Sequence, residues 1–166
     1  MFTWVRALTY SVMFIGLMFV FLPGQLLEWT HVTRPSGTGP PQIVGAVLVI
    51  LGGGLAVWCI LTFAHKGRGT PAPFDPPRRL VVSGPYRWVR NPMYWGAVLI
   101  LSGAALYYRS AILAGYAAFF FVAIDLFVRG YEEPTLYRLF GAEYTAYCGA
   151  VRRWWPTPSR ARKSGA

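Results

Sequence analysis

The sequence predicts an all-α membrane protein with four transmembrane helices. Of its 166 residues, 55% are apolar and only 13% are charged, about half the charged fraction of an ordinary soluble domain. The apolar residues form four runs that approach the roughly 20 residues a helix needs to cross a bilayer. The net charge of +10 lies between and after these runs. This arrangement favours anionic membrane lipids as partners, and no nucleic acid is expected.

The four runs have boundaries typical of membrane helices. The first covers about residues 5–22 and lacks the small-residue cleavage site of a signal peptide. The others cover about residues 43–64, 93–108 and 111–128, and the last two are close enough to form a tight helical hairpin. Tryptophans fall near the predicted ends, as interfacial aromatic residues do. They are Trp4, Trp29, Trp95, Trp154 and Trp155.

The basic residues predict the orientation of the helices. Fourteen of the 16 Lys and Arg residues lie at the start of the first run, between the second and third, or after the fourth, and only Arg34 and Arg109 remain for the other side. By the positive-inside rule, both termini are cytoplasmic. We therefore expect a multi-pass protein of a bacterial inner membrane.

Three segments follow from this layout. Residues 1–64 hold two helices, residues 65–156 hold a cytoplasmic loop, the hairpin and a C-terminal helix, and residues 157–166 form a basic tail that we expect to be mobile. Six prolines in the loop exclude a continuous helix but stiffen its path. Beyond Pro134, apolar residues with helical spacing predict an amphipathic helix at the cytoplasmic interface. These residues are Leu136, Leu139, Phe140, Tyr144 and Tyr147.

Charged residues at the end of the fourth run are the first candidates for chemistry. Asp125, Arg129 and Glu133 are spaced four apart and share a helical face. An ionisable group inside a span is a functional hypothesis by default, with Arg129 as the partner of Asp125. Pro134 predicts that the helix breaks at Glu133 and turns the carboxylates toward the loop. Alternatively, the pair only orients the helix end.

The second candidate is the stretch RRLVVSGPYRWVRNPMYWG, residues 78–96, which leads into the third helix. It places four arginines beside Tyr86 and Tyr94, and its glycine and prolines predict a defined turn. Alternatively, the arginines extend to the lipid headgroups.

Other motifs are weaker. The glycines Gly52-Gly53-Gly54 lie in a continuous apolar run, which predicts close helix packing and not nucleotide binding. His31 and His65 have no second ligand at metal spacing, so no metal site is expected. Cys59 and Cys148 are expected at different depths and therefore reduced.

The chain from about residue 78 to 156 resembles the integral-membrane methyltransferases typified by isoprenylcysteine carboxyl methyltransferase and the phospholipid methyltransferases. The similar blocks are LVVSGPYRWVRNPMYWG, a hydrophobic hairpin, and EEPTLYRLFGAEYTAYCGAVRRWWP, in that order. The first two helices match only in hydropathy. The resemblance implies that the loop, the hairpin and the final helix form a cytoplasmic pocket for S-adenosyl-L-methionine, without a Rossmann sheet.

The resemblance also implies roles for individual residues. Arg129 would bind the anionic part of the acceptor, and Glu133 the ammonium or ribose of the cofactor, which makes these two the implied catalytic residues. Asn91 stands where the family usually has His, and Arg78 where it often has His. Since Asn91 does not titrate near neutral pH, we expect it to bind and not to act as a base. The implied cofactor contacts are Arg78, Arg79, Leu80, Val81, Tyr86, Asn91, Pro92, Met93, Tyr94 and Glu133.

The expected function is methyl transfer from S-adenosylmethionine to a lipophilic small molecule or lipid. Transfer from a sulfonium mainly requires alignment of the reacting atoms in a dry pocket. Because no histidine falls in the predicted lining, a carboxylate acceptor is favoured over a phospholipid amine, which must first lose a proton. Glu132 or Tyr94 is the alternative proton acceptor. A membrane reductase that uses NADPH and a non-enzymatic scaffold are the competing functions.

Overall fold

The computed structural model describes residues 13, 15–63, 65 and 79–157. Within these ranges the chain is helical and contains no strand, so the predicted all-α class is confirmed. Several expectations lie outside the described residues. These concern the first part of the first helix, residues 66–78 of the proline-rich loop, which include Arg78, and the tail after residue 157.

Five helices make up the described part of the chain. We number them α1 (Leu17–Trp29), α2 (Pro40–Thr62), α3 (Pro92–Tyr108), α4 (Ala111–Phe127) and α5 (Glu133–Ala150). A short 3₁₀ turn, Gly84–Arg87, precedes α3. The predicted bounds of the second, third and fourth runs agree with α2, α3 and α4 to within three residues. Helix α1 continues past its predicted end at residue 22.

Two of the described helices are long and apolar enough to cross a membrane. They are Pro40–Thr62 and the continuous helix Ala111–Ala150, which contains α4 and α5. Helix α3 has 17 residues, or about 25 Å at 1.5 Å per residue, somewhat less than the roughly 30 Å hydrocarbon core. Four complete spans therefore remain a prediction. The tight hairpin is present, because Arg109 adopts a left-handed conformation (φ 50°, ψ 40°) and Ser110 caps α4 by accepting from the Leu113 amide.

Helices α2 and α3 pack with their backbones in contact at four glycines. A Cβ atom on Gly45 would lie 2.6 Å from the carbonyl oxygen of Gly103, and one on Gly52 would lie 2.5 Å from that of Gly96. On each helix the two glycines are seven residues apart, which is about two turns, so they lie on the same face. The two helices run antiparallel, because Gly45 contacts Gly103 and Gly52 contacts Gly96. Of the three consecutive glycines, only Gly52 makes this contact, since a Cβ on Gly53 or Gly54 would meet nothing within 4 Å.

Two prolines lie within continuous helix, each after a π-helical turn. Leu17–Phe21 precedes Pro23, and Val128–Glu132 precedes Pro134. A proline ring clashes with the carbonyl four residues earlier and removes one hydrogen bond. A wider turn relieves both problems. The predicted helix break at Glu133 is therefore wrong, because this residue has helical angles (φ −62°, ψ −46°).

Helix α5 bends at Gly141 (φ 49°, ψ −119°) and packs its inner face beneath the loop. Tyr144, Tyr147 and Val151 are buried, with Leu136 and Phe140 packed against them. The predicted amphipathic pattern is confirmed at these positions of the helix. Leu139 is an exception, since it is 54% exposed.

We expect Gly52→Ala to destabilise the protein by about 1–3 kcal/mol, because the new methyl group meets a backbone oxygen that cannot rotate away. The measurement is the midpoint of thermal unfolding in detergent. Gly53→Ala is the control and should be neutral or more stable, since alanine favours helix by up to about 1 kcal/mol over glycine. Equal midpoints for the two variants would contradict the close contact.

Candidate functional site

Residues 151–157, which we call the C-terminal strap, lie across the loop that leads into α3. The Arg90 amide donates to the Arg152 carbonyl oxygen (3.0 Å), and the Thr157 amide to the Trp88 carbonyl oxygen (2.8 Å). Two further carbonyls of the strap accept side-chain hydrogen bonds from the start of α3. They are those of Arg153, bound by Asn91 Nδ2, and Trp154, bound by Trp95 Nε1. The strap therefore holds the loop in one position over the helix ends.

A buried carboxylate joins the strap, the loop and α5. Arg153 binds Glu133 in a bidentate manner, Nε to Oε1 at 2.8 Å and Nη2 to Oε2 at 2.7 Å. Nη1 of Arg90 lies 3.0 Å from the same Oε1, and the Glu133 side chain is only 11% exposed. The bond to Glu133 raises the pKa of Arg153. Because two guanidinium groups share one carboxylate, this Arg90–Glu133–Arg153 cluster keeps a net positive charge.

Arg90 is incompletely satisfied within this cluster. Its Nη1 also lies 2.7 Å from Cys148 Sγ. Its buried Nε has no hydrogen-bond partner in the described part of the chain. An unpaired donor on a buried charged group is costly, so Arg90 does not use its full hydrogen-bonding capacity within the cluster.

The neighbouring glutamate faces a different partner. Glu132 lies at the end of the π-helical turn, and its Oε2 accepts a hydrogen bond from the Tyr94 hydroxyl at 2.7 Å. Successive residues of a helix point about 100° apart. The two adjacent carboxylates therefore serve two separate groups, one at the loop and one at the start of α3.

The predicted pair of Asp125 and Arg129 is confirmed. Nε of Arg129 lies 2.8 Å from Oδ2 of Asp125, and Oδ1 of Asp125 accepts from Nε1 of Trp154 at 2.8 Å. The Arg129 side chain is 57% exposed. Asp125 therefore connects α4 to the strap and leaves much of the Arg129 guanidinium accessible.

The implied cofactor residues divide into two groups. Asn91, Tyr94 and Glu133 lie where the loop, the start of α3, α5 and the strap meet, a region that we call the polar junction. Val81 and Tyr86, by contrast, form a buried apolar cluster with Cys59, against which Met93 packs. The Tyr86 carbonyl oxygen accepts from the Tyr147 hydroxyl at 2.6 Å, and burial raises the pKa of the Tyr86 phenol.

The remaining implied contacts are also placed by the structure. Pro92 is buried as the first residue of α3, Leu80 packs against the buried cluster of Tyr144 and Tyr147, and Arg79 is exposed. Cofactor contacts by all these residues remain predictions.

Arg90 was a candidate only as one of the four loop arginines, and Arg153 and Trp154 were not identified as site residues from the sequence. All three lie in the sequence blocks that carry the family resemblance. Their spacing gives no signal for the contacts, because the strap is far along the chain from both the loop and Asp125.

The comparison with family models gives one match. A model described as "Phospholipid methyltransferase" matches residues 41–143. This range runs from the start of α2 into α5, includes Arg90, Tyr94, Glu132 and Glu133, and ends before the strap. No curated protein and no solved structure matches the chain.

We expect Glu133→Gln to destabilise the fold, because removing one partner of a buried ion pair costs up to about 3–5 kcal/mol and the Glu133 side chain is only 11% exposed. Release of the strap should also accelerate cleavage by trypsin after Arg152 and Arg153. Thermal unfolding in detergent and a timed digest measure the two effects. Glu143→Gln, an exposed carboxylate of the same helix, is the matched control.

An unchanged midpoint and an unchanged digest for Glu133→Gln would show that the cluster does not hold the strap. Asp125→Asn serves as a comparison, because it disrupts an ion pair that is more exposed than that of Glu133. Since Arg129 is more than half exposed, loss of that pair should cost no more than about 1 kcal/mol.

Proposed function

The chain belongs to the phospholipid methyltransferase family, whose model matches residues 41–143, and on this premise we propose that it transfers a methyl group from S-adenosyl-L-methionine to a lipid acceptor at the cytoplasmic face of a membrane. Two observations identify it as an integral membrane protein, namely its family and its two long apolar helices. The family match favours a methyltransferase over an NADPH-dependent reductase or a scaffold.

We place the cofactor where the loop, α3 and the strap meet. The observation that carries this placement is the net positive Arg90–Glu133–Arg153 cluster, in which the Arg153 side chain is 26% exposed. A carboxylate such as that of the cofactor's methionyl group fits this set of donors. When bound, S-adenosylmethionine would supply a methyl group activated on a sulfonium. The rings of Tyr94 and Trp154, 6.5 Å apart, are suited to a nearby cation.

Glu133 has a more specific role in this proposal than direct contact with the cofactor. Both of its oxygens already bind arginine nitrogens. Its part is to hold Arg90 and Arg153 in the orientation that an anionic group needs, which makes it a positioning residue. Asn91 contributes in the same way, since it donates to the Arg153 carbonyl oxygen.

Arg129 is the proposed contact for the anionic part of the acceptor. Asp125 binds its Nε and fixes its direction, and the exposure of the side chain leaves the terminal nitrogens accessible. A lipid carboxylate or phosphate would bind there by charge-assisted hydrogen bonds.

The nucleophile of the acceptor has two candidates. A carboxylate, predicted from the sequence, needs no proton acceptor. The hydrogen bond between Tyr94 and Glu132 favours the second candidate, a phospholipid amine, because a half-buried carboxylate beside a phenol can accept the proton that an ammonium group must lose. The product distinguishes the two, since a carboxylate gives a methyl ester and an amine gives an N-methyl group.

We expect purified protein to transfer label from methyl-labelled S-adenosylmethionine to a prenyl or fatty carboxylate, or to phosphatidylethanolamine. Arg129→Met should lower kcat/KM by about tenfold or more, since a charge-assisted hydrogen bond is worth about 1.5–3 kcal/mol. Arg138→Met, an exposed arginine of α5, is the control. Cofactor affinity, measured by calorimetry, should be the same for both variants.

Glu132→Gln separates the two nucleophiles, because it should abolish N-methylation and leave ester formation unaffected. Absence of label from every lipid tested would refute the proposed function. Equal losses for Arg129→Met and Arg138→Met would remove Arg129 from the acceptor site.

We also propose four spans with both termini in the cytoplasm, on the distribution of basic residues. Reporter fusions after Lys163 and within residues 33–39 should report opposite sides of the membrane. Reporters on the same side would contradict this topology and the cytoplasmic position of the pocket.

A further inference from the structure

Trp154 of the strap binds the carboxylate that orients Arg129. The indole Nε1 of Trp154 donates to Oδ1 of Asp125 at 2.8 Å. Nε of Arg129 lies 2.8 Å from Oδ2 of the same carboxylate. Each oxygen of Asp125 therefore has its own partner, one on the strap and one at the proposed contact for the acceptor.

The ion pair within α4 and the following turn does not by itself fix the direction of the Arg129 side chain. An exposed pair at a spacing of four residues is weak, and an aspartate side chain can adopt several rotamers. The Asp125 side chain is 20% exposed and that of Arg129 57%. The hydrogen bond from Trp154 restricts the Asp125 carboxylate to the rotamer that also faces Arg129.

Trp154 is in turn held in place by three contacts. Its carbonyl oxygen accepts from Nε1 of Trp95 at 2.7 Å, and its ring lies 5.0 Å from that of Phe121. The preceding residue, Arg153, is bound to Glu133. The position of the Trp154 indole therefore depends on the position of the strap, which also carries an arginine of the proposed cofactor cluster.

We propose that Trp154 is a positioning residue for the methyl acceptor. It holds Asp125, and through Asp125 it holds Arg129, so the acceptor contact is complete only while the strap lies across the loop. The proposal rests on the proposed function, because it takes Arg129 as the contact for the anionic part of the acceptor. The strap then serves both substrates, since Arg153 belongs to the cofactor cluster and Trp154 supports the acceptor contact.

Trp154→Phe tests this role, because it removes the indole N–H and keeps an aromatic ring. For the lipid that the wild-type protein methylates, we expect kcat/KM to fall by about fivefold or more through a higher KM, with kcat changed by less than about twofold. Trp155→Phe, the same change at a neighbouring side chain that is 68% exposed, is the matched control. Cofactor affinity, measured by calorimetry, should be unchanged in both variants.

Two further variants distinguish positioning from a merely structural role. Added to Arg129→Met, Trp154→Phe should cause no additional loss of kcat/KM, because it acts only through that arginine. Trp154→His should recover part of the loss. Nε2 of the imidazole has the same place on the five-membered ring as the indole Nε1, and it can donate a hydrogen bond.

Additive losses in the double variant, or equal kinetics for Trp154→Phe and Trp155→Phe, would overturn the proposal. A weaker cofactor affinity in Trp154→Phe, or a thermal midpoint lowered as far as in Glu133→Gln, would also overturn it, because Trp154 would then hold the strap and not the acceptor contact. If the wild-type protein methylates lipids and Trp154→Phe has the same kinetics, this inference fails while the proposed function stands. Absence of methylation by the wild-type protein would contradict both.

Discussion

The arrangement of the polar junction depends on a single carboxylate. Glu133 binds an arginine of the loop and an arginine of the strap, so three parts of the chain that are separate in sequence meet at one point. Burying these charges costs several kcal/mol in desolvation, and good geometry must offset this cost. The bidentate contact with Arg153 supplies that geometry. The second arginine leaves an excess of positive charge, which suits the junction to an anion.

The turn that precedes Pro134 determines which way this carboxylate faces. A π-helical turn, Val128–Glu132, lets the helix continue through the proline, and such turns are frequent at functional sites. The helix thus presents Glu132 to Tyr94 and Glu133 to the arginines. A helix that ended at the proline, as the sequence suggested, would not orient the two carboxylates rigidly. A π-helical turn also precedes Pro23. Such a turn therefore accommodates a proline, which has no amide hydrogen, and does not by itself indicate a functional site.

Small residues have opposite effects on the two sides of α3. On the α2 side, glycines allow the backbones to touch, which makes these two helices a rigid pair. On the α4 side, alanines leave a groove between the two helices. Small residues in membrane helices usually mediate close packing. At α4 the same kind of residue leaves space instead, because the helices do not approach closely there.

The sequence by itself determined the features that depend on neighbouring residues. Hydropathy located α2, α3 and α4 because a helix that contacts lipid must be apolar along its length, and spacing by four predicted the contact of Asp125 with Arg129 because one turn brings such residues together. Text similarity indicated the family, which the family model confirmed. The tertiary structure decided the contacts between distant segments, namely the two arginines on Glu133, the indole of Trp154 on Asp125, and the pairing of Gly45 with Gly103. These contacts depend on how each helix is rotated about its axis and on where the strap lies. No local pattern encodes those choices, because they arise from packing between elements that are far apart in the chain.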